Sequence, residues 1–380
     1  MKLAIDASTM REGGGLKYLK KLIENFDRDY SDIKSLFIFV DYFIYDSIKS
    51  LSRDGIMIYR LPKKSFFGIN ILIWKIFCQK KIILQNNCDF LYCLSGYNLS
   101  NYSNFISIIH NQLPFERKEV FRYSFFKIIK FEILRFFLSL HLKQAKGVIF
   151  LSSYSRDRIN DLLPNISNEQ IIIPHGLDKE NNKLKLRRLK KTSFNHIDPF
   201  KIVYLSNFEP YKHQEKVAKA VSNLRDKGFP IEISFIGEVV RSGIKIKNKI
   251  NKFDESEKFL KMLGWLPTKD IEKIMIDSDL FIFASSCESF GQIVLEGMRW
   301  GMPMTCSRGN AMEEILEDCD VNFFDPLKII DIENNIKQLF FNESLRQNIS
   351  DKVFIKSQNF SWEKTFKDTL SFVSFVHSSK

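Results

Sequence analysis

The segment Leu280–Pro303, LFIFASSCESFGQIVLEGMRWGMP, decides the fold of its half of the chain. It begins with four apolar residues, passes through a polar turn and continues with apolar residues at helical spacing. Ser289 and Gln292 have the S-x-x-Q spacing of a capping box, which predicts a helix that begins near Phe290. The N–H groups at the helix start and the positive end of its dipole would then lie where the strand ends. This arrangement predicts an anion site suited to a diphosphate.

Two glutamates flank the predicted helix start. Glu288 lies just before the cap, and Glu296 follows Ser289 by seven residues. Seven residues make nearly two helical turns, so we expect Glu296 on the same face, roughly 10 Å further along. Because carboxylates accept hydrogen bonds from hydroxyl groups, the pair suits a ligand with a sugar at one end and a ribose at the other. Two surface glutamates beside an ordinary helix start are the alternative interpretation.

Outward from this segment, short apolar runs alternate with amphipathic stretches. Alternation of strands and helices implies parallel sheets with crossover helices. The chain has 380 residues, of which 44% are hydrophobic, enough for two domains of ordinary size. The predicted strands are Lys2–Asp6, Leu36–Val40, Met57–Leu61, Phe90–Leu94, Phe105–His110, Val148–Leu151, Gln170–Pro174, Ile202–Leu205, Ile231–Ile236, Leu280–Ala284 and Pro303–Cys306.

A basic, non-periodic stretch separates the two series of strands. We predict a first doubly wound domain over residues 1–178, a linker over 179–199, a second domain over 200–360 and a C-terminal helix over 361–380. The end of the chain is predicted to form helices without intervening strands: Ile329–Phe341, Ser344–Ser357 and Trp362–Val376. Two facing domains of this kind would leave a central cleft, and ligands bind where the strands end.

Several short motifs resemble family 4 of the retaining glycosyltransferases, which have the GT-B fold. Glu288–Glu296 resembles the E-x7-E motif of that family. Gly264–Pro267 resembles its loop near the nucleotide base, and Pro210–Lys212 its phosphate-contacting segment. Ile173–Asp178 resembles the motif that ends the first domain, and Phe360–Glu363 the start of a last helix that crosses back to it. The resemblance is specific from about residue 200 to 376 and diffuse before it.

The resemblance implies two sets of site residues. It implies catalytic roles for His110, Lys212 and Glu288. It implies that the donor sugar nucleotide is bound by Gly14, Gly15, Asn207, Trp265, Leu266, Ser289, Phe290, Gly291, Gln292 and Glu296. His175 is a weaker candidate, for which a structural role is favoured. Each of these residues also has an ordinary structural interpretation, as a helix-start lysine, a flexible glycine turn or a buried histidine.

One position departs from the family pattern. The family usually has an arginine five residues before the lysine, and here that position is Asn207. Either Lys212 alone neutralises the diphosphate, or another basic group substitutes. The glycines at 13–15 could also suggest a dinucleotide site, but Tyr18 occupies the third glycine position of that pattern, which disfavours NAD.

Two D-x-D triplets, Asp277–Asp279 and Asp318–Asp320, raise the question of a metal ion. Asp277 and Asp279 fall between a helix end and a strand start, away from the edge where ligands bind. We therefore expect no metal and no other cofactor, with the helix dipole and Lys212 handling the phosphate charge.

The net charge of +12 calls for an anionic partner or surface. Nucleic acid is the least favoured anionic partner, because no zinc finger, helix-turn-helix or RNA-binding aromatic motif is visible. The stretch Arg117–Lys146 and the stretch Phe66–Phe77 interleave basic and aromatic residues, which suits an anionic membrane surface. Apolar helices that cover a sheet are the alternative. With scattered cysteines, no signal peptide and no membrane span in the sequence, we expect a cytoplasmic protein that is peripheral on the inner face of the cytoplasmic membrane.

The inferred reaction is metal-independent transfer of a hexose, with retention, from a UDP- or GDP-linked sugar to the hydroxyl of a saccharide acceptor that a lipid could carry. By family analogy its setting is cell-surface polysaccharide assembly, such as O-antigen or capsule. Three alternatives stay open: a non-catalytic sugar-nucleotide-binding partner of another transferase, a sugar-nucleotide epimerase, and a phosphorylase-like enzyme that would need a pyridoxal-binding lysine.

Overall fold

A computed structural model describes residues 1–10, 13–27, 32–63, 69–166, 169–178 and 193–379. The contacts divide the chain into two compact units. The first unit comprises residues 1–115, 129–178 and 360–380, and the second comprises 116–128 and 179–359. Most of the predicted linker, residues 179–192, lies outside the described residues.

The first unit is built on a seven-stranded sheet of order β3-β2-β1-β4-β5-β6-β7, in which every described strand pairing is parallel. The inner strands are apolar along their whole length because helices cover both faces of a parallel sheet. The strands are β1 (Lys2–Ala7), β2 (Ser35–Val40), β3 (Ile56–Arg60), β4 (Phe90–Cys93), β5 (Phe105–Ile108), β6 (Gly147–Phe150) and β7 (Glu169–Ile172).

The second unit is built on a six-stranded parallel sheet of order β10-β9-β8-β11-β12-β13. Its strands are β8 (Phe200–Leu205), β9 (Ile231–Ile236), β10 (Leu260–Gly264), β11 (Leu280–Phe283), β12 (Met304–Ser307) and β13 (Phe323–Phe324). The predicted strands are confirmed to within one or two residues, and the sequence analysis missed β10 and β13. Both lie at the edges of the sheet, where a strand does not need a continuous apolar run.

The helices alternate with the strands. They are α1 (Gly14–Glu24), α2 (Tyr42–Tyr45), α3 (Ile69–Trp74), α4 (Lys80–Gln85), α5 (Arg117–Val120), α6 (Phe125–Gln144), α7 (Ser153–Leu162), α8 (Gln214–Asp226), α9 (Ile244–Asn251), α10 (Thr268–Asp277), α11 (Gln292–Arg299), α12 (Ala311–Ile315), α13 (Ile329–Phe341), α14 (Glu343–Ser357) and α15 (Trp362–Ser378). A π-helical turn, Lys75–Gln79, joins α3 to α4. Within the described ranges, no helix combines the length and the apolar run needed to cross a membrane.

Two segments belong to a unit other than their neighbours in the chain. Residues 116–128 cluster with the second unit, whereas the predicted boundary at 178 assigned them to the first domain. Residues 360–380, which contain α15, cluster with the first unit. There the aromatic ring of Phe372 lies where a side chain on Gly147 would have to go, 2.9 Å from an ideal Cβ, so α15 closely covers the start of β6.

Each sheet reverses its direction of growth once. In the first sheet this occurs between β1 and β4, and in the second between β8 and β11. The loops that leave the carboxyl ends of such neighbouring strands diverge to opposite faces and open a crevice, which is where parallel α/β sheets bind ligands. The two switch points are therefore the places to look for functional side chains.

Candidate active site

Lys212 and Glu288 meet at the switch point of the second sheet. Lys212 ends a 3-10 turn that follows β8, and Glu288 lies in the connection between β11 and α11. Their side chains form an ion pair between the Lys212 Nζ and the Glu288 Oε1 atoms. The two side chains are 12% and 17% exposed, so the pair is largely shielded from water. The structure thus joins two predicted catalytic residues that are 76 positions apart in the sequence.

Hydrogen bonds fix the two loops to each other. The N–H of Ser286 donates to the carbonyl of Tyr211 at 2.9 Å, and the Ser286 hydroxyl lies 2.8 Å from Nε2 of His213. The hydroxyl of Tyr204 donates to the carbonyl of Lys212 at 2.5 Å and accepts from the N–H of Ala284 at 3.2 Å. The backbone around Lys212 is therefore held by the β11 loop on one side and by β8 on the other.

Two aromatic rings pack against the Lys212 ammonium. Its ammonium lies 4.8 Å from the ring centre of Phe283 and 4.9 Å from that of Tyr211, within cation–π range. Burial, together with the nearby Glu288 carboxylate, raises the pKa of Tyr211 well above its usual range. An ammonium held over apolar rings and shielded from water interacts more strongly with an incoming anion than an exposed one does.

The predicted capping box is wrong. Helix α11 begins at Gln292, and its N-cap is Gly291, with φ 96° and no capping side chain. The chain turns from β11 into α11 through this left-handed residue, a conformation that glycine adopts readily. Ser289 is left buried two residues before the cap. The N-cap residue therefore offers no side chain to the first N–H groups of α11. These groups can still bind an anion, so the anion site stays a prediction.

The later start of α11 changes the expected relation of the two glutamates to the helix. Glu288 and Ser289 both precede the N-cap and are not on the helix, so the expected two-turn relation between Ser289 and Glu296 is wrong. Glu296 is the fifth residue of α11, and its Oε2 lies 3.8 Å from Nη1 of Arg299. Glu288 thus belongs to the β11–α11 connection, and Glu296 follows the first turn of α11.

The other predicted donor-binding residues of the second unit follow neighbouring strands. Asn207 follows β8; its Oδ1 accepts from the N–H of Glu238 at 2.9 Å, and its carbonyl accepts from the side chain of Gln214 at 2.9 Å. Trp265 and Leu266 follow β10, where Gly264 accepts a 2.8 Å hydrogen bond from Gly237. The indole of Trp265 is 68% exposed, which leaves a large ring face available for stacking. Phe290, in contrast, is buried.

In the first unit, Gly14 and Gly15 open α1 directly after Gly13, whose φ is 97°. No side chain caps this helix start, because glycine has none. An added Cβ on Gly14 would meet nothing within 4 Å, so the backbone there is open to close approach. The three glycines are placed at the switch point of the first sheet, after β1.

His110 follows β5 and lies within a cluster of rings. It contacts Tyr18 edge-on at a 4.8 Å centroid distance and stacks on His175 at 5.3 Å. Burial lowers the pKa of His110 to about 4. Burial, with the charges of His110 and Lys17, lowers the pKa of His175 well below its usual range. Both imidazoles are therefore neutral at pH 7, so His110 can accept or donate one hydrogen bond without carrying charge.

The segment Ile173–Asp178 holds this ring cluster in place. An ideal Cβ on Gly176 would lie 2.1 Å from the backbone N of Trp362, so only glycine allows α15 to begin there. Trp362 in turn packs against His175 at 5.6 Å. Asp178 forms ion pairs with Lys21 at 2.7 Å and with Lys17 at 3.3 Å, both on α1. The contacts of His175 and Gly176 agree with the structural role favoured for that histidine.

The D-x-D triplets serve other contacts. Lys201, at the amino end of β8, contacts Asp277 with its ammonium at 2.5 Å and Asp279 with its backbone N–H at 2.9 Å. Asp320 pairs with Lys352 at 2.6 Å. In the part of the chain that the structure describes, no group of three or more His, Cys, Asp or Glu is placed to hold a metal ion.

The sequence analysis missed a polar network that anchors residues 116–128. Oε2 of Glu209 accepts from the hydroxyl of Tyr123 at 2.8 Å and from that of Ser242 at 2.7 Å. The ammonium of Lys127 donates to the same Ser242 hydroxyl at 3.1 Å. Glu209 immediately precedes the segment Pro210–Lys212, so the network braces the loop that carries Lys212. No local pattern could have revealed it, because Tyr123 and Glu209 are 86 residues apart.

Comparison with known proteins agrees with this fold. Residues 187–354 match the family model described as glycosyl transferases group 1. The chain is 23% identical over 323 residues to an uncharacterized glycosyltransferase of Methanocaldococcus jannaschii, covering 84% of this chain and 85% of that protein. Over 174 residues it is 24% identical to the O-antigen chain mannosyltransferase B of Escherichia coli, covering 44% of each. The crystal structure of HepE from Anabaena, in complex with UDP and glucose, matches with a TM-score of 0.70 at 16% identity over 99% of this chain and 100% of that one.

The two parallel Rossmann-like sheets, the helical C-terminal region and the matched segment define the class of protein. By these features the chain is similar to the group 1 glycosyl transferases over residues 187–354, and it has the GT-B fold.

Proposed function

We propose that this glycosyltransferase moves a hexose from a UDP- or GDP-linked donor to an acceptor hydroxyl, with retention, during assembly of a cell-surface polysaccharide. The observation that carries the proposal is the shielded Lys212–Glu288 pair at the switch point of the second sheet. It lies inside the segment that matches the family model. The relatives named above support the classes of donor and product: one structure holds UDP and glucose, and one relative is named an O-antigen mannosyltransferase.

The diphosphate of the donor would be bound by two kinds of positive group. One is the start of α11, where Gly291 provides no capping side chain. Its N–H groups and the helix dipole favour an anion. The other is the Lys212 ammonium, which is held over aromatic rings. This cation gains most when charge builds up on the leaving group, so it contributes to the transition state more than to the ground state.

The reaction itself breaks the bond between the anomeric carbon and the phosphate oxygen. The electron pair of that bond leaves with the nucleoside diphosphate, and the acceptor oxygen bonds to the same face of the anomeric carbon. The acceptor proton moves to an oxygen of the departing phosphate. No protein nucleophile is required, so the enzyme acts by positioning and by charge stabilisation.

We assign distinct roles to the carboxylates and the histidine. Glu288 holds the Lys212 ammonium in place and accepts a hydrogen bond from a donor-sugar hydroxyl. Glu296 accepts from the ribose hydroxyls. His110 is neutral at pH 7 and acts as a hydrogen-bonding group toward the sugar rather than as a cation.

A ligand screen tests the donor class. UDP- and GDP-sugars are added singly at about 100 times an expected Kd, which stabilises the folded protein by ~2.7 kcal/mol and raises its melting temperature. The donor that stabilises is then used for transfer assays, with nucleotide release as the readout. Stabilisation by neither nucleotide class would contradict the proposed donor.

Matched variants test the site. Lys212→Met and Glu288→Gln should each reduce turnover at least 100-fold, since charge-stabilising groups are typically worth roughly 10²–10³ in kcat. Lys201→Met is the control, because Lys201 lies near the amino end of β8, whereas Lys212 follows its carboxyl end, and it pairs with Asp277. Glu296→Ala should weaken nucleotide binding by ~1–3 kcal/mol, since a ribose hydroxyl loses its acceptor. Parental transfer rates in both glutamate variants would refute the site.

One outcome favours the alternative function. Tight sugar-nucleotide binding without hydrolysis or transfer to any acceptor would indicate a binding partner of another transferase. Asn207, in place of the family arginine, motivates this alternative, because its side chain is engaged by the Glu238 N–H instead of carrying a charge.

We also propose that the enzyme works on the inner face of the cytoplasmic membrane. Helix α6 exposes Phe126, Phe136 and several other large apolar side chains, and carries Lys127, Lys130 and Lys143. Exposed apolar and basic side chains on one helix suit an anionic lipid surface.

A further inference from the structure

The first unit contains a cavity of about 610 Å³. This volume is within the range typical of small-molecule sites, roughly 300–1,000 Å³. Most of the lining is apolar and includes the buried side chains of Leu94, Ile109 and Leu138. The polar lining is sparse and includes His110 and Asn111.

The cavity lies at the switch point of the first sheet. Its lining takes Thr9 and Met10 from the loop after β1, Leu94–Tyr97 from the loop after β4, and His110 from the loop after β5. A void in this place is built by the loops that form ligand sites in parallel α/β sheets. It also adjoins one of the residues assigned to catalysis above.

Two helices supply an apolar rim. Ile133 of α6 is 54% exposed and lines the cavity, and Ile76 of the π-helical turn is 49% exposed and lines it too. Phe77 and Phe136 extend the exposed apolar surface on the same two elements. An exposed apolar patch that continues into an apolar cavity indicates a ligand that is itself partly apolar.

The charge at the rim is positive. Lys130 lines the cavity, and its ammonium has no ion-pair partner among the described residues. On the same helix the acidic Glu132 is paired with Arg135. An unneutralised ammonium beside an apolar cavity matches a ligand that carries an anionic group at the end of its apolar part.

We propose that this cavity binds the hydrocarbon chain of a phosphate-linked lipid that carries the acceptor sugar, with Lys130 contacting the phosphate. A saccharide alone would leave most of its hydroxyl groups without partners against this lining, which is costly when they leave water. The assignment of the lipid as the acceptor rests on the proposed function, whereas the binding of an alkyl phosphate does not.

The experiment uses n-decyl phosphate as the probe, below its micelle concentration, with the full chain and isothermal titration calorimetry. Decanol and inorganic phosphate are titrated separately, so that the apolar and the anionic parts of the probe are resolved. We expect saturable 1:1 binding of decyl phosphate, weaker binding of decanol, and no measurable binding of inorganic phosphate.

Two pairs of variants locate the site. Ile133→Asp should weaken decyl phosphate at least tenfold, while Ile129→Asp, on the same helix but outside the cavity lining, should leave it within about twofold. Both isoleucines are exposed, so neither change removes a core side chain. Lys130→Gln should weaken decyl phosphate about fivefold and leave decanol unchanged, as expected for one exposed charge. Lys143→Gln, also on α6 and outside the lining, is its control.

The results separate this proposal from the proposed function. Absence of saturable decyl phosphate binding, or equal losses in Ile133→Asp and Ile129→Asp, overturns the cavity site. Binding only to vesicles, and not to the monomeric probe, also overturns it, because the apolar rim would then serve a bilayer surface. Stabilisation by UDP- or GDP-sugars is measured in the same variants, and its absence in the parent chain would refute the donor site while leaving an alkyl-phosphate site intact.

Discussion

The ion pair between Asp6 and Lys75 should determine the stability of the first unit. Asp6 lies on β1, and Lys75 begins the π-helical turn after α3. Both side chains are fully buried, with 2.9 Å between the Lys75 Nζ and the Asp6 Oδ2 atoms. The other carboxylate oxygen of Asp6 accepts from the N–H of Ser8 at 3.1 Å and from its hydroxyl at 2.5 Å. The Lys75 ammonium also lies 4.7 Å from the ring centre of Tyr97, which lines the cavity described above.

Removal of one partner leaves the other charge buried without compensation. The expected loss is ~3–5 kcal/mol in the free energy of unfolding, a large part of the ~5–15 kcal/mol that stabilises a typical domain. Lys75→Met keeps most of the side-chain volume and removes the charge, and Asp6→Asn does the same for the carboxylate. The double variant Asp6→Leu/Lys75→Met should recover most of the loss, because a buried pair is often matched by apolar residues of similar volume.

The two single variants should respond to pH in opposite directions. Burial alone raises the pKa of Asp6, but the charge of Lys75 and the hydrogen bonds from Ser8 outweigh it, so the pKa is lowered. Without Lys75, burial raises this pKa above its unfolded value of about 3.9, and stability falls as the pH rises through that interval. Burial alone lowers the pKa of Lys75, and the Asp6 charge outweighs it. Without Asp6, the lysine pKa falls below about 10.4, and stability rises with pH toward that value, by up to ~1.4 kcal/mol per unit.

Urea unfolding followed by tryptophan fluorescence measures these effects. In a Trp265→Phe/Trp300→Phe background the remaining tryptophans, Trp74 and Trp362, both report on the first unit. A loss below ~1 kcal/mol in either single variant, or pH slopes of the same sign in both, would refute the reasoning.

Four further outcomes are expected. Transfer should survive EDTA, and complete loss that Mn²⁺ restores would instead assign a metal to Asp277 and Asp279. Gly291→Ala should weaken donor binding, because φ 96° is strained for a residue with a Cβ and the start of α11 would shift; an unchanged thermal shift with the donor would contradict the anion site. NMR of the His110 imidazole should show the neutral form at pH 6 and a midpoint near the pKa of about 4, and a midpoint near 6.5 would mean that the ring is solvated. The protein should float with vesicles of anionic lipid at low salt and less at high salt. Phe136→Asp should reduce flotation. Binding to neutral vesicles alone would show that electrostatic attraction does not contribute to membrane binding.

Local sequence determined most of the secondary structure. The runs around β1, β8 and β11 are apolar because both faces of a parallel sheet are covered, and such runs are visible without any knowledge of the fold. Gly228, with φ 86°, directly follows the C-cap of α8, in a conformation that glycine adopts readily. Ser152 caps α7 and accepts from the N–H of Ser155 at 3.1 Å. These are interactions within a few residues, so the sequence specifies them directly.

The tertiary structure determined the start of α11 and the place of β10, which the local sequence patterns did not predict. The S-x-x-Q spacing of Ser289 and Gln292 fits a capping box, but the left-handed turn at Gly291 brings the chain from β11 into α11, and the helix starts later. Strand β10 escaped detection because it lies at the sheet edge and is only partly buried. Burial and chain direction are properties of the whole sheet, so they override a pattern of four residues.

For the site, the sequence by itself supplied the residue types and their order along the chain. The E-x7-E segment, the lysine after β8 and the histidine after β5 could each be named from short motifs. Only the tertiary structure brought Lys212 to Glu288 across 76 residues, stacked His110 on His175, and buried Lys75 against Asp6. The physical reason is that such contacts depend on the order of strands in the sheets, which is fixed by the packing of the whole chain rather than by neighbouring residues.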